Sequence, residues 1–282
     1  LFGFASNTFN IALNAQAVDV ECLYKRPIMS TFHGMWSLGG VAGGTLGAIV
    51  APLGLPPLPH FIIMCAVTCL VTFSVRHRIL PHDLPRKFTP KKHRGFTMPS
   101  CFILLLGFIA FSNMATKGTM YDWSAVYFAQ VVRPGEALVR AGYIACMICM
   151  VCCRFIADRL VVRFGAIRVL QFGGLCTAAG FLLACLVPTL PAATAGFAMV
   201  GFGMAPAIPL CYSLTSKSRT VSPSVAISII STISFFGMLA SPAGVGMLSH
   251  VFGLQTALMP LAAMGLSIIV LAPLLTRAER NQ

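Results

Sequence analysis

Few residues in this chain could do chemistry, and most of them lie inside long apolar runs. Lys117 is a basic residue deep within such a run. Asn7, Asn10 and Asn14 recur three and four apart and so share one helical face, with Gln16 close behind. His33 and Trp36, three apart, share another face. Asp158 stands among Arg154, Arg159 and Arg163. Burying such groups in lipid is costly, so each is a candidate for binding a solute or for tying helices together. An amide stripe can hydrogen-bond a hydroxylated solute or a neighbouring helix. His33 can exchange protons near neutral pH, or serve as a structural hydrogen-bonding group near its helix end. Lys117 attracts an anionic solute, pairs with Asp122, or snorkels to the membrane surface. Counted from Pro99 at about 1.5 Å per residue, it lies roughly 27 Å along its helix, past the midplane. Residues five apart do not share a face, so pairing with Asp122 requires a break near Gly118, whereas Tyr121 shares the face of Lys117.

Asp158 falls where an apolar run ends, and a carboxylate at a helix C-terminus faces an unfavourable dipole. It needs partners. Arg154 lies one turn back, and Arg159 and Arg163 follow. The start of the run at Ser222-Pro223, which reads as an N-cap and first helical position, is also available. Charges that only fix topology require no aspartate.

Eleven cysteines, with clusters at 146, 149, 152, 153 and at 65, 69, raise the question of Cu(I) or zinc. No acidic ligand run accompanies them, and a buried free cysteine behaves as a small apolar residue. No metal or other cofactor is expected. There is no phosphate-cradling glycine loop followed by lysine and no nucleophile–base pair, so the chain does not read as an enzyme.

The elements that must position these groups are nine apolar stretches, roughly 1–20, 27–51, 59–75, 99–128, 138–156, 169–187, 192–214, 223–251 and 256–275. Each approaches the about 20 residues that cross a bilayer as a helix. The chain is 57% hydrophobic and 10% charged, against roughly 25% charged in a soluble domain. The runs are too long and too continuously apolar for a membrane barrel. The fold class is therefore an all-α membrane protein with nine transmembrane helices. Gly39, Gly43 and Gly47, with Gly40 and Gly44, predict close helix packing along the second stretch.

Most of the 20 Lys and Arg fall in alternate gaps and in the C-terminal tail. Basic loops stay cytoplasmic, which places the C-terminus inside and the start of the chain outside. The net charge of +13 then faces an anionic leaflet, and no nucleic acid is expected as a partner. The chain begins inside an apolar run with no basic leader, which reads as a fragment with earlier spans missing. Residues 1–75 form an incomplete N-terminal bundle, 76–98 a basic proline-stiffened linker, and 99–282 a six-helix bundle and tail.

Four segments carry a family resemblance: Asn14-Ala15-Gln16 with Glu21 and Arg26-Pro27; Phe32-His33-Gly34-Met35-Trp36-Ser37-Leu38-Gly39-Gly40; Gly118 through Asp122-Trp123-Ser124; and Arg154-Phe155, Asp158-Arg159-Leu160 and Arg163-Phe164-Gly165. With them the chain resembles the major facilitator superfamily, and within it a bacterial branch related to fucose permease. The resemblance aligns it with the fourth to twelfth helices of a twelve-helix, two-bundle transporter. It implies a secondary active transporter moving a sugar-like solute or small organic anion by alternating access, monomeric, in the bacterial inner membrane, with solute and lipid as partners. Asn10, Asn14, Gln16, His33, Trp36, Lys117, Tyr121, Asp122 and Trp123 are the candidate solute-binding residues. Arg154, Asp158, Arg159 and Arg163 form the candidate cytoplasmic latch. The matched family position usually carries Glu where this chain has Lys117, and often an acid where it has Asn10, which leaves proton coupling in question. The competing class is a truncated or degenerate copy, or a sensor that keeps the fold without transporting.

Overall fold

The computed structural model of the chain describes residues 1–50, 56–80 and 99–282. Its elements are α1 (Phe2–Tyr24), α2 (Met29–Val50), α3 (Pro57–Val75), α4 (Cys101–Tyr127), α5 (Ala141–Phe164), α6 (Ala166–Leu186), α7 (Leu190–Met204), α8 (Ala207–Ser213), α9 (Pro223–Phe252), α10 (Leu254–Ala257) and α11 (Met259–Arg280). A π-type turn, Phe128–Val132, prolongs α4. The short gaps between α7 and α8 and between α10 and α11 interrupt single rods, so the described residues form nine rods without strands. These match the nine apolar stretches. Six are long and apolar enough to cross a membrane. The remaining three, α1, α2 and α5, carry the amides, His33 and the charged groups of the candidate sites. Most of the 76–98 linker lies outside the described residues.

Local chemistry sets several boundaries. Ser222 accepts the Val225 amide at 3.4 Å, with Pro223 in the first turn of α9. Gly165, at φ 85°, ends α5 in a conformation that a side chain would resist. The helix therefore runs on through Asp158 and Arg163, eight residues past the apolar pattern. Pro242 lacks an N–H, so the Met238 carbonyl one turn earlier loses its helical partner. Gly118 of α4 packs there: a Cβ on it would stand 2.5 Å from the Met238 oxygen.

Close approach concentrates among α4–α11. Gly173 faces Gly203, Gly180 faces Gly196 and Gly174 faces Gly265, each against the other's carbonyl. The glycines of α2 behave otherwise. A Cβ on Gly39, Gly40, Gly43, Gly44 or Gly47 would meet nothing within 4 Å, so the expected packing stripe is an open face among the described residues.

Two apolar clusters hold the molecule together. One lies toward the end carrying Arg26, Lys217 and Arg277; it joins Val18 of α1 and Met29 of α2 to Phe102, Leu106, Leu170, Ile227 and Leu275. The other, around Tyr127, Phe128, Phe181, Phe197 and Leu261, contains no residue of α1 or α2. Among the described residues, α1 and α2 thus contribute buried apolar side chains only to the cluster at the basic end. No residue of α3 is buried.

Candidate functional site

The first turn of α2 is where the two groups of helices meet. Four N–H groups at any helix start lack intrahelical acceptors, and the partial positive charge there favours an anion. Here two carboxylates take all four. Glu21, near the end of α1, accepts from the Ile28 and Met29 amides, both at 2.8 Å through Oε2. Asp158 of α5 accepts from the Ser30 amide at 3.1 Å and the Thr31 amide at 2.8 Å, and from the Thr31 hydroxyl at 2.6 Å. The Ser213 hydroxyl of α8 donates to the second oxygen of Glu21. Asp158 is buried. Its partner is therefore neither the Ser222 helix start nor Arg159 and Arg163, both of which are exposed. Arg163 lies instead 5.3 Å from the Phe164 ring centroid.

One turn back on α5, Arg154 grips the same helix. Its Nη1 donates to the His33 carbonyl at 3.3 Å and to the Ser37 hydroxyl. Ser37 in turn donates to the His33 carbonyl at 2.9 Å. Between these contacts the Phe155 ring lies against Gly34, where a Cβ would come within 3.0 Å of it. Arg154 is 5% exposed, yet its Nε has no partner, and neither does the buried Nε2 of His33. The His33 and Tyr212 ring centroids are 6.0 Å apart.

Lys117 of α4 reaches the same region. Its Nζ lies 5.3 Å from the Trp36 ring and 5.4 Å from the Tyr121 ring, a cation–π arrangement. It does not snorkel to the surface. Lys117, Arg154 and His33 lie within electrostatic reach of one another. Helix α4 runs unbroken past Gly118, so Asp122 stays on another face, and among the described residues no carboxylate lies within ion-pair distance of Lys117 or Arg154. Trp36 is 66% and Tyr121 37% exposed, so the cluster borders open space. Tyr143 adds a ring 6.0 Å from Tyr121. A cavity of about 400 Å³ lies elsewhere, between Ser100, Leu105, Thr220 and Arg277 at the basic end.

The other candidates have structural partners. Asn14 donates to the carbonyl of Asn10 at 2.8 Å and to its side-chain oxygen at 2.9 Å. Asn10 also meets Tyr212, whose hydroxyl lies 2.8 Å from Ser231. Asn10 and Asn14 thus bond each other within α1, and Asn10 also bonds Tyr212, while Asn7 is exposed. Gln16 clamps Leu80 in both directions, donating to its carbonyl at 3.0 Å and accepting its amide at 3.2 Å. Trp123 donates its indole N–H to the Pro242 carbonyl at 3.0 Å. Of the expected solute-binding residues, His33, Trp36, Lys117 and Tyr121 converge; Gln16, Asp122 and Trp123 do not join them. Arg154, expected only in the latch, completes the cluster. Glu21 and Ser37 had been passed over. The signal for Glu21 was its position before the short turn through Arg26-Pro27 into α2. All eleven cysteines are free, and among the described residues no group of three His, Cys, Asp or Glu could share a metal ion.

The nine apolar rods of the described residues, six of them long and apolar enough to cross a membrane, are those of a multi-pass membrane protein. The profile of the Major Facilitator Superfamily matches residues 1–222, and the chain belongs to that superfamily. It is 30% identical to an uncharacterized MFS-type transporter of Yersinia pestis, over 98% of this chain and 71% of that protein. It is 32% identical to an uncharacterized transporter of Sinorhizobium fredii, over 98% of this chain and 72% of that one. Among solved structures it is similar to the human organic anion transporter MFSD10, with a TM-score of 0.65 and 18% identity. That match covers 86% of this chain and 62% of the human one, so this chain spans less than two thirds of the human protein's length. None of these three bears the name of a fucose permease.

Proposed function

We propose that this chain belongs to a secondary active transporter that moves a small polar solute by alternating access. Residues 1–75 and 99–282 act as two bundles, with 76–98 as the linker between them. The protein is a monomer in a bacterial inner membrane, with solute and lipid as its partners and no nucleic acid. The basic end, including the C-terminus, is cytoplasmic, a reading that the distribution of Lys and Arg supports.

The observation that carries this reading is the shared cap on α2. Asp158 from one bundle and Glu21 from the other occupy adjacent amides of one helix start. Opening the basic end means withdrawing Asp158 from Ser30 and Thr31 and Ser213 from Glu21. The contact holds when the bundles are closed there and is lost when they part, as a two-state gate needs. In this arrangement the bundles meet at the cytoplasmic end and diverge toward the outside.

The test is a reversible lock. In a cysteine-free background, Thr31→Cys with Asp158→Cys places two thiols across the gate. Oxidation should stop solute flux in proteoliposomes of the full-length protein, and a reductant should restore it. Flux that is equal in the locked and reduced states would exclude this gate.

A further inference from the structure

We infer that the Lys117–Arg154 cluster binds the carboxylate of a small organic anion whose flat or apolar body rests against Trp36 and Tyr121. The inference deepens the transport reading and rests on it. A lysine, an arginine and a buried histidine converge between α2, α4 and α5. A buried charge is ordinarily paired, because leaving water is costly. No described carboxylate does this here: Glu21 and Asp158 are committed to the α2 amides, and Asp122 lies on another face. Arg154 spends one nitrogen on Ser37 and the His33 carbonyl, and keeps a buried Nε–H with no acceptor. A guanidinium edge matches a planar carboxylate better than a hydroxyl does. The missing counter-charge is thus supplied by the cargo.

The body of the cargo is set by the walls. Trp36 and Tyr121 are exposed rings that both lie within 5.4 Å of the Lys117 ammonium. They offer flat apolar surfaces. The amides that would recognise a polyol, Asn10 and Asn14, are already bonded to each other and beside Tyr212.

Isothermal titration of the full-length protein in detergent decides the matter with two matched pairs of probes, benzoate against benzamide and glucuronate against glucose. Benzoate should bind at least about tenfold more tightly than benzamide. Lys117→Met should weaken benzoate binding about 10- to 100-fold, far more than it changes benzamide binding, and Lys117→Arg should keep most of the benzoate affinity. Equal binding within both pairs, preference for the neutral member, or no binding of any probe overturns the inference. Should Lys117→Met fail to fold, the pairs measured on the parent protein still decide. Proteoliposome flux separates the two readings. Glucose flux without benzoate binding removes the anion site and leaves the transporter. Charge-selective binding, with no flux of either anion and no effect of the Thr31–Asp158 lock, removes the transporter and leaves the site.

Discussion

Substituting Asp158 by Asn tests the shared cap most directly. The carboxylate accepts two backbone amides and one hydroxyl through two oxygens. An amide side chain offers one oxygen and no charge. It can hold either Ser30 or Thr31 and loses the attraction to the helix dipole. A hydrogen bond to a charged group contributes roughly 1.5–3 kcal/mol net, and removal of an N-cap costs about 1 kcal/mol. Partial retention by Asn puts the loss near about 2 kcal/mol, or roughly a 30-fold change in the opening equilibrium. Hydrogen exchange resolved at the first turn of α2 reads this residue by residue. The Ser30 and Thr31 amides should exchange about 30-fold faster in Asp158→Asn. The Ile28 and Met29 amides, held by Glu21, should change far less, and Glu21→Gln should reverse the pattern. Unchanged exchange at Ser30 and Thr31 would refute the cap. Equal acceleration at all four amides in both variants would refute its division between the two carboxylates.

Gly118→Ala should lower the Tm clearly, at a cost of about 1–3 kcal/mol, because its Cβ would meet the Met238 backbone oxygen at 2.5 Å; Gly135→Ala, with open space around it, is the control and should leave the Tm nearly unchanged. Gln16→Ala removes both bonds to Leu80, so limited proteolysis after Arg76 or Arg78 should speed up while the Tm stays nearly constant; an unchanged cleavage rate would show that the clamp does not hold the chain there. Reporter fusions should place the C-terminus in the cytoplasm and Gly135 outside. The opposite result would invert the assignment of the two ends.

The rods were legible because a membrane helix announces itself by length and apolar content, which are local quantities. The Ser222-Pro223 start was legible for the same reason: a cap and its amide are three residues apart. Legibility fails where partners are distant. Asp158 finds Ser30 across 128 residues, and nothing near 158 names that helix start. The end of α5 was misplaced because charged residues interrupt the apolar run while Gly165, not polarity, terminates the helix. The glycine stripe of α2 and the glycines of α6, α7 and α11 look alike in sequence. Only the second set meets opposing carbonyls. Small residues permit close approach but do not say what approaches. Lys117 could be read as surface anchor or as site residue, and the rings it meets lie one turn away at Tyr121 and on another helix at Trp36.

The gate and the cation cluster share the same two helices, and this has an energetic consequence. Along α5, Arg154 and Asp158 are one turn apart and hold successive turns of α2, from Ser30 to Ser37. Between them Phe155 fills the space that Gly34 leaves. A solute can shift a conformational equilibrium only by binding one state better than the other. A solute that engages Lys117 alone would leave the grip on α2 intact. One that draws the Arg154 guanidinium away from Ser37 and the His33 carbonyl removes a tie between α2 and α5 next to the Asp158 cap. Its binding would then favour the state in which that cap is broken. A coupling of about 1–3 kcal/mol, the usual range between linked sites, is the size of the two hydrogen bonds Arg154 would exchange. The single guanidinium thus joins the proposed anion site, through its free Nε–H, to the tie on α2 that lies beside the proposed gate.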